Sequence, residues 1–121
     1  MARVLVVDDS KEFRAVMCDW IAMRPGLELV GEAADGTEAV DLVERLRPDL
    51  VLMDAIMHRM DGFEATRQIK SRPDPPQVVI LTLHDSGATR PAAEAAGADG
   101  FVAKSDLTEA LPRLLHELIE K

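Results

Sequence analysis

Cysteine is nearly missing from this sequence. Cys18 stands alone, which excludes an internal disulfide and fits a reducing compartment, the cytoplasm. Long apolar runs are missing too. None approaches the ~18 residues that a membrane span needs, so no membrane role is expected. Met1-Ala2-Arg3 leads directly into a strand-like run, leaving no room for a signal peptide. Positive charge is short: 14 Lys and Arg face 22 Asp and Glu, a net charge of −8. That balance opposes direct nucleic acid binding by this chain and favours cations or basic partners. The three histidines, His58, His84 and His116, are scattered and share no zinc spacing with Cys18. No linker, low-complexity tract or repeat interrupts the chain. Its 121 residues read as one domain, 1–121, large enough to bury roughly two-thirds of its unfolded surface.

What is present is a series of short apolar runs that each end in a polar group. Leu50-Val51-Leu52-Met53 runs into Asp54, and Val4-Leu5-Val6-Val7 into Asp8-Asp9. Val78-Val79-Ile80-Leu81 ends in Thr82, and Phe101-Val102-Ala103 in Lys104. Runs this short and continuous read as strands buried on both faces.

Helical patterns alternate with them. Phe13, Val16, Met17, Trp20 and Ile21 share one helical face behind a Ser10 cap. Ala39, Leu42, Val43 and Leu46 form a second stripe, and Phe63, Thr66 and Ile69 a third. Asp35…Glu38, Asp61…Glu64 and Asp106…Glu109 have capping-box spacing at three helix starts. Gly87 and Pro91 predict a short fourth helix that begins near Thr89, with Pro91 in its first turn and poor order before it. The last helix has a wide apolar stripe, from Leu107 to Ile119, and Pro112 predicts a kink. The stripe suits either a helix sunk deeply between its neighbours or a docking surface.

Alternating strands and helices predict an α/β fold: a single doubly wound (βα)5 domain of flavodoxin-like order 2-1-3-4-5, its five strands parallel. Asp8, Asp9, Asp54, Thr82 and Lys104 would then meet at the carboxyl edge of the sheet. Taken singly, each has a bland reading, as a turn residue, a cap or a solvated charge. Their specificity lies in the shared edge. Three crowded carboxylates need a proton or a cation, and oxygen donors with room for water suit Mg²⁺. Lys104, Thr82 and such an ion could hold the oxygens of a phosphoryl group, with Asp54 as the nucleophile.

At this point the pattern resembles a known family. Val7-Asp8-Asp9-Ser10, Leu52-Met53-Asp54, Met60-Asp61-Gly62, Leu81-Thr82, Ala96-Gly97-Ala98 and Lys104 resemble the receiver domain of two-component response regulators. The resemblance implies that Asp54 accepts a phosphoryl group from a phosphohistidine on a sensor histidine kinase. It implies that Asp9 binds Mg²⁺ directly, Asp8 through water and Ile56 through its backbone carbonyl. Thr82 and Phe101 would be a coupled switch pair that reshapes the face of the fourth helix, fifth strand and fifth helix. That face would control a homodimer or an output partner. The chain would catalyse its own phosphorylation and slow dephosphorylation rather than act as an enzyme on other substrates, with His84 and Ile56 beside the path of the attacking water.

Thr82-Leu83-His84-Asp85 and Lys104-Ser105 resemble receivers of the LuxR/NarL type, which implies a transcriptional output, although no output domain is read within these residues. His58 stands where the family usually has proline and is expected to shift metal affinity or phosphate lifetime modestly. Phe101 stands where tyrosine is common. Two competing classes are a Mg²⁺-dependent phosphotransferase or phosphatase for small substrates, and a flavin or nucleotide binder. The first would need a cap or long insertion. The second would need a glycine-rich loop where Asp8-Asp9-Ser10-Lys11 stands. A phosphate-independent interaction domain is a further alternative.

Overall fold

The apolar runs pair into one parallel sheet of order β2-β1-β3-β4-β5. Its strands are β1 (Ala2–Val7), β2 (Leu27–Ala33), β3 (Leu50–Asp54), β4 (Gln77–Thr82) and β5 (Gly100–Ala103). Between them lie α1 (Lys11–Ala22), α2 (Gly36–Leu46), α3 (Gly62–Lys70) and α4 (Thr89–Ala96), and α5 (Leu107–Ile119) follows β5. This is a computed structural model, and it describes residues 1–83 and 87–119.

Side chains alternate across the sheet with the two-residue period of a strand. Leu5, Val7, Val51, Met53, Val78 and Ile80 face one core, closed by Val43 of α2, Ile69 of α3 and Ala93 of α4. Val4, Val6, Leu50, Leu52, Val79, Leu81 and Val102 face the other, closed by Met17 and Ile21 of α1 and Leu111 and Leu115 of α5. All five residues of β3 are buried, as expected of the central strand of a sheet covered on both faces. Burying each such aliphatic side chain contributes about 1.5–3 kcal/mol, which holds β3 firmly in place.

Local expectations met mixed outcomes. Ser10 caps α1, accepting from Phe13 N, but Val16 is 55% exposed and does not share the inward face of Met17 and Ile21. Asp35 and Asp61 accept from Glu38 N and Glu64 N, half of the capping box in each case. The reciprocal halves are absent. Glu38 accepts from Ala34 N, one residue before the cap, and Glu64 bonds Arg67 and Gln68. Asp106 is no extended cap, because Lys104–Asp106 forms a 3-10 turn that runs straight into α5.

Helix α4 begins at Thr89 with Pro91 in its first turn, as its composition predicts, and its N-cap residue is Ala88, whose side chain offers no acceptor. The expected poor order before it extends to Ser86, which lies outside the described residues, as do His84 and Asp85. The wide stripe of α5 points inward. Leu107, Leu111 and Leu115 are buried, and Ala110, Leu114, Leu118 and Ile119 pack on the same cluster. Helix α5 runs uninterrupted through Pro112. Cys18 is half-buried next to Glu32. Burial first, and then the Glu32 charge, push its thiol pKa up, away from reactivity. Thr66 is fully buried, and its hydroxyl has no hydrogen-bond partner among the described residues, a cost of about 1–3 kcal/mol.

Candidate functional site

Strand register brings the aspartates together. Val7 pairs with Met53, so the next residues, Asp8 and Asp54, leave neighbouring strands side by side. Their strands are the two at which the sheet order reverses direction, where open α/β sheets place their ligands. Thr82 pairs with Ala103 on the next two strands, which sets Thr82 and Lys104 at the same edge.

Asp8 is almost completely buried and fully engaged. Its Oδ1 accepts from Ser10 N at 2.8 Å, and its Oδ2 accepts from Lys104 Nζ at 2.8 Å. Arg14 donates to its carbonyl at 2.7 Å and pairs with Glu32 at 3.2 Å, tying the end of β1 to α1 and β2. Lys104 Nζ also lies 3.4 Å from Asp54 Oδ1 and 4.0 Å from the centre of the Phe13 ring. One ammonium is therefore shared by two carboxylates and rests on an aromatic face. Asp9 is exposed, and His58 Nε2 lies 3.7 Å from its Oδ2.

One oxygen from each of Asp8, Asp9 and Asp54 lies within 4.8 Å of the others. Among the described residues, the ammonium paired with them is that of Lys104. At ~4 Å, each carboxylate pair repels by ~4 kcal/mol in surroundings of intermediate dielectric. Asp54 absorbs this. Burial first, and the Asp8 charge second, push its pKa from 3.8 up to about 6, although Lys104 pulls the other way. A carboxylate held under that strain favours either a proton or a cation. The donors are hard oxygens, three of them in a small space, and the site is open enough for waters. That set fits Mg²⁺, whereas the sulfur and nitrogen sets of structural zinc sites are absent among the described residues.

The site opens into a cavity of about 670 Å³, lined by the three aspartates, Ile56, Thr82 and Lys104 among others. Thr82 is buried, and Ile56 is 69% exposed at the cavity wall. Phe101 lies lower, paired with Ile80, half-buried, with the Arg90 guanidinium 4.7 Å above its ring. All five polar groups expected at the carboxyl edge are thus found there, and Phe101 sits beside them rather than among them. A second groove, about 460 Å³ at the opposite end of the sheet, has its charged pair Arg72 and Glu44 matched to each other at 2.7 Å.

The sequence reading missed the residues that hold this site in shape. Gly62 N donates to Ala55 O at 2.9 Å, and Gly36 N donates to Met60 O at 3.0 Å. A Cβ on Gly62 would stand 2.0 Å from Asp54 O, and one on Gly36 2.4 Å from Met60 O. Glycine at the first position of a helix, twice after an aspartate, was a readable signal of close backbone approach. Arg14 and Phe13, which brace Asp8 and Lys104, left no such signal, because their spacing serves helix α1 equally well.

An acidic pocket with a half-buried lysine, at the switch point of a 2-1-3-4-5 sheet, defines the class. Residues 4–116 match the family model of the response regulator receiver domain, and the chain belongs to that family. A protein-glutamate methylesterase/protein-glutamine glutaminase of Myxococcus xanthus is 51% identical over 81 residues, 67% of this chain and 23% of that protein. The transcriptional regulatory protein LiaR of Bacillus subtilis is 40% identical over 106 residues, 87% of this chain and 50% of LiaR. A solved LuxR-family response regulator from Aurantimonas sp. SI85-9A1 is 36% identical at TM-score 0.86, covering 97% of this chain and 86% of that one. The chain spans half or less of the two curated relatives, and these include both transcriptional regulators and methylesterases. Among the described residues, no helix is long and apolar enough to cross a membrane.

Proposed function

We propose that residues 1–121 act as one receiver unit in which Asp54 accepts a phosphoryl group from the phosphohistidine of a sensor histidine kinase. One observation carries this reading: a buried, destabilised Asp54 carboxylate shares Lys104 with Asp8 at the floor of an open acidic cavity. An Asp54 oxygen forms the new bond to phosphorus, and the P–N bond to imidazole breaks. The electron pair stays on the ring nitrogen, which takes up a proton. Asp8, Asp9, Asp54 and the Ile56 carbonyl would hold Mg²⁺, which would supply neutralisation of the phosphoryl oxygens. Lys104 adds a fixed charge on the other flank, and the Thr82 hydroxyl donates to a phosphoryl oxygen. Hydrolysis reverses the modification: water attacks phosphorus, the bond to Asp54 breaks, and phosphate leaves.

The output follows from the same groups. Thr82 moves toward the phosphoryl group and Phe101 turns inward, leaving the Arg90 guanidinium that now covers its ring. The face of α4, β5 and α5 changes shape and governs a homodimer or an output partner. Because the α5 stripe packs inward, that face is built from other residues of these elements. A transcriptional output is supported by the similarity to LiaR and by the LuxR-type pairs Thr82-Leu83 and Lys104-Ser105. The net charge of −8 assigns any nucleic acid contact to another segment or partner, and the lone cysteine suits the cytoplasm.

Intact-mass analysis after treatment with acetyl phosphate and Mg²⁺ tests the reading. Wild type is expected to gain the mass of one phosphoryl group, and Asp54→Ala to gain none. Equal labelling of both would remove Asp54 from the role, and no labelling of wild type would favour a phosphate-independent interaction domain.

A further inference from the structure

Phe13 sits at a spacing that serves helix α1, yet its ring also reaches the phosphoacceptor pocket. Asp8 Oδ1 accepts from Ser10 N at 2.8 Å, and Ser10 Oγ accepts from Phe13 N at 3.2 Å. Lys104 Nζ lies over the Phe13 ring, 4.0 Å from its centre, and donates back to Asp8 Oδ2 at 2.8 Å. Asp8, Ser10, Phe13 and Lys104 thus form a closed circuit of contacts. The ring is half-buried and packs on the core cluster between the sheet, α1 and α5. Turning it away from Lys104 would open a gap in that packing.

A lysine at a reacting centre needs such support. Its four-carbon stem is flexible, and its ammonium is a compact charge with rotatable donors. Asp8 lies 2.8 Å from that ammonium and Asp54 3.4 Å. Both carboxylates belong to the acidic site, so their pull on Lys104 changes with whatever the site binds. The ring contact is independent of that. An aromatic face attracts a cation through its quadrupole, whatever the carboxylates carry. Only 11% of the Lys104 side chain is exposed, so water competes weakly for the ammonium.

We propose that Phe13 is a positioning residue for phosphoryl transfer: its ring holds the Lys104 ammonium on the flank of Asp54 where the phosphoryl oxygens arrive. The inference rests on the reading of Asp54 as phosphoacceptor and adds to it a residue that touches neither metal nor phosphate. Phe13 acts through Lys104, so removing the ring slows transfer only where Lys104 is present.

Rates of labelling of the whole chain by acetyl phosphate and Mg²⁺, followed by intact mass, test this. Phe13→Leu is expected to label about tenfold more slowly than wild type, and Phe13→Tyr, which keeps the ring, within about twofold of it. Trp20→Leu removes the other aromatic ring of α1, which carries the Arg24 guanidinium at 4.3 Å, and should leave the rate unchanged. In a Lys104→Ala background, Phe13→Leu should slow labelling no further. Proton NMR supplies a readout without activity. The Lys104 ε-methylene is expected upfield in wild type, under the ring current, and should lose that shift in Phe13→Leu. A Phe13→Leu rate equal to wild type, equal slowing with and without Lys104, or an ε-methylene unmoved by Phe13→Leu would overturn the Phe13 role and leave the phosphoacceptor reading standing. Wild type that takes no label would overturn both.

Discussion

Gly62→Ala is expected to destabilise the protein by about 3 kcal/mol or more and to slow phosphorylation of Asp54 by at least about a hundredfold. The added methyl would lie 2.0 Å from Asp54 O, 2.9 Å from Asp54 C and 3.1 Å from Ala55 Cα. All three are backbone atoms, so no rotamer change relieves the clash. Either α3 backs away, losing the 2.9 Å bond from Gly62 N to Ala55 O, or the end of β3 moves and takes the Asp54 carboxylate with it. The first response costs stability and the second costs geometry. Gly87→Ala is the matched control, since a Cβ there meets nothing within 4 Å, and it should change neither quantity measurably. Urea denaturation and the rate of labelling by acetyl phosphate would report both effects. Native-like values for Gly62→Ala would mean that the contact between α3 and β3 does not fix the Asp54 carboxylate.

Asp54→Asn is expected to stabilise the metal-free protein by about 2–3 kcal/mol at neutral pH. The sign follows from the direction of the shift. The folded-state pKa of Asp54 lies at about 6 against an ordinary 3.8, so the folded state binds this proton more tightly than the unfolded one. Below about pH 4 both states are protonated and the group adds no penalty. Between about pH 4 and 6 the unfolded state gives up this proton while the folded state keeps it, so stability falls, and above about pH 6 the group is charged in both states and the full penalty is present. An amide carries no such charge, so the gain of Asp54→Asn should grow between about pH 4 and 6 and then level off. Lys104 keeps Asp8 as its partner at 2.8 Å in the variant, which limits the loss from its 3.4 Å contact with Asp54. Added Mg²⁺ should raise the melting temperature of wild type more than that of Asp54→Asn, because the ion relieves the same repulsion. A flat difference across pH would show that Asp54 is not held in an unfavourable charged state.

Much of this site was legible before any coordinates. Four apolar runs ending in Asp8-Asp9, Asp54, Thr82 and Lys104 were enough to place five polar groups at one sheet edge, because parallel strands share their carboxyl ends. The short α4 was legible from Gly87 and Pro91, whose backbone demands are local. The errors came where a pattern has two physical outcomes. A helical period cannot say how wide the buried arc is: it puts Val16 on the inward face, and Val16 is 55% exposed. Capping-box spacing permits but does not require the reciprocal bond, so Glu38 serves Ala34 N and Glu64 serves Arg67. The glycines at positions 36 and 62 and the braces Arg14 and Phe13 act through contacts distant in sequence, and no periodicity encodes those.

The most direct test of the central claim is to trap the acyl phosphate. Wild type treated with acetyl phosphate and Mg²⁺ would be reduced with borohydride, digested and sequenced by tandem mass spectrometry. The arrangement described here predicts conversion of Asp54 to homoserine, with Asp8 and Asp9 unmodified. Conversion at Asp8 or Asp9, or a phosphoryl group found on a hydroxyl such as that of Thr82, would contradict it.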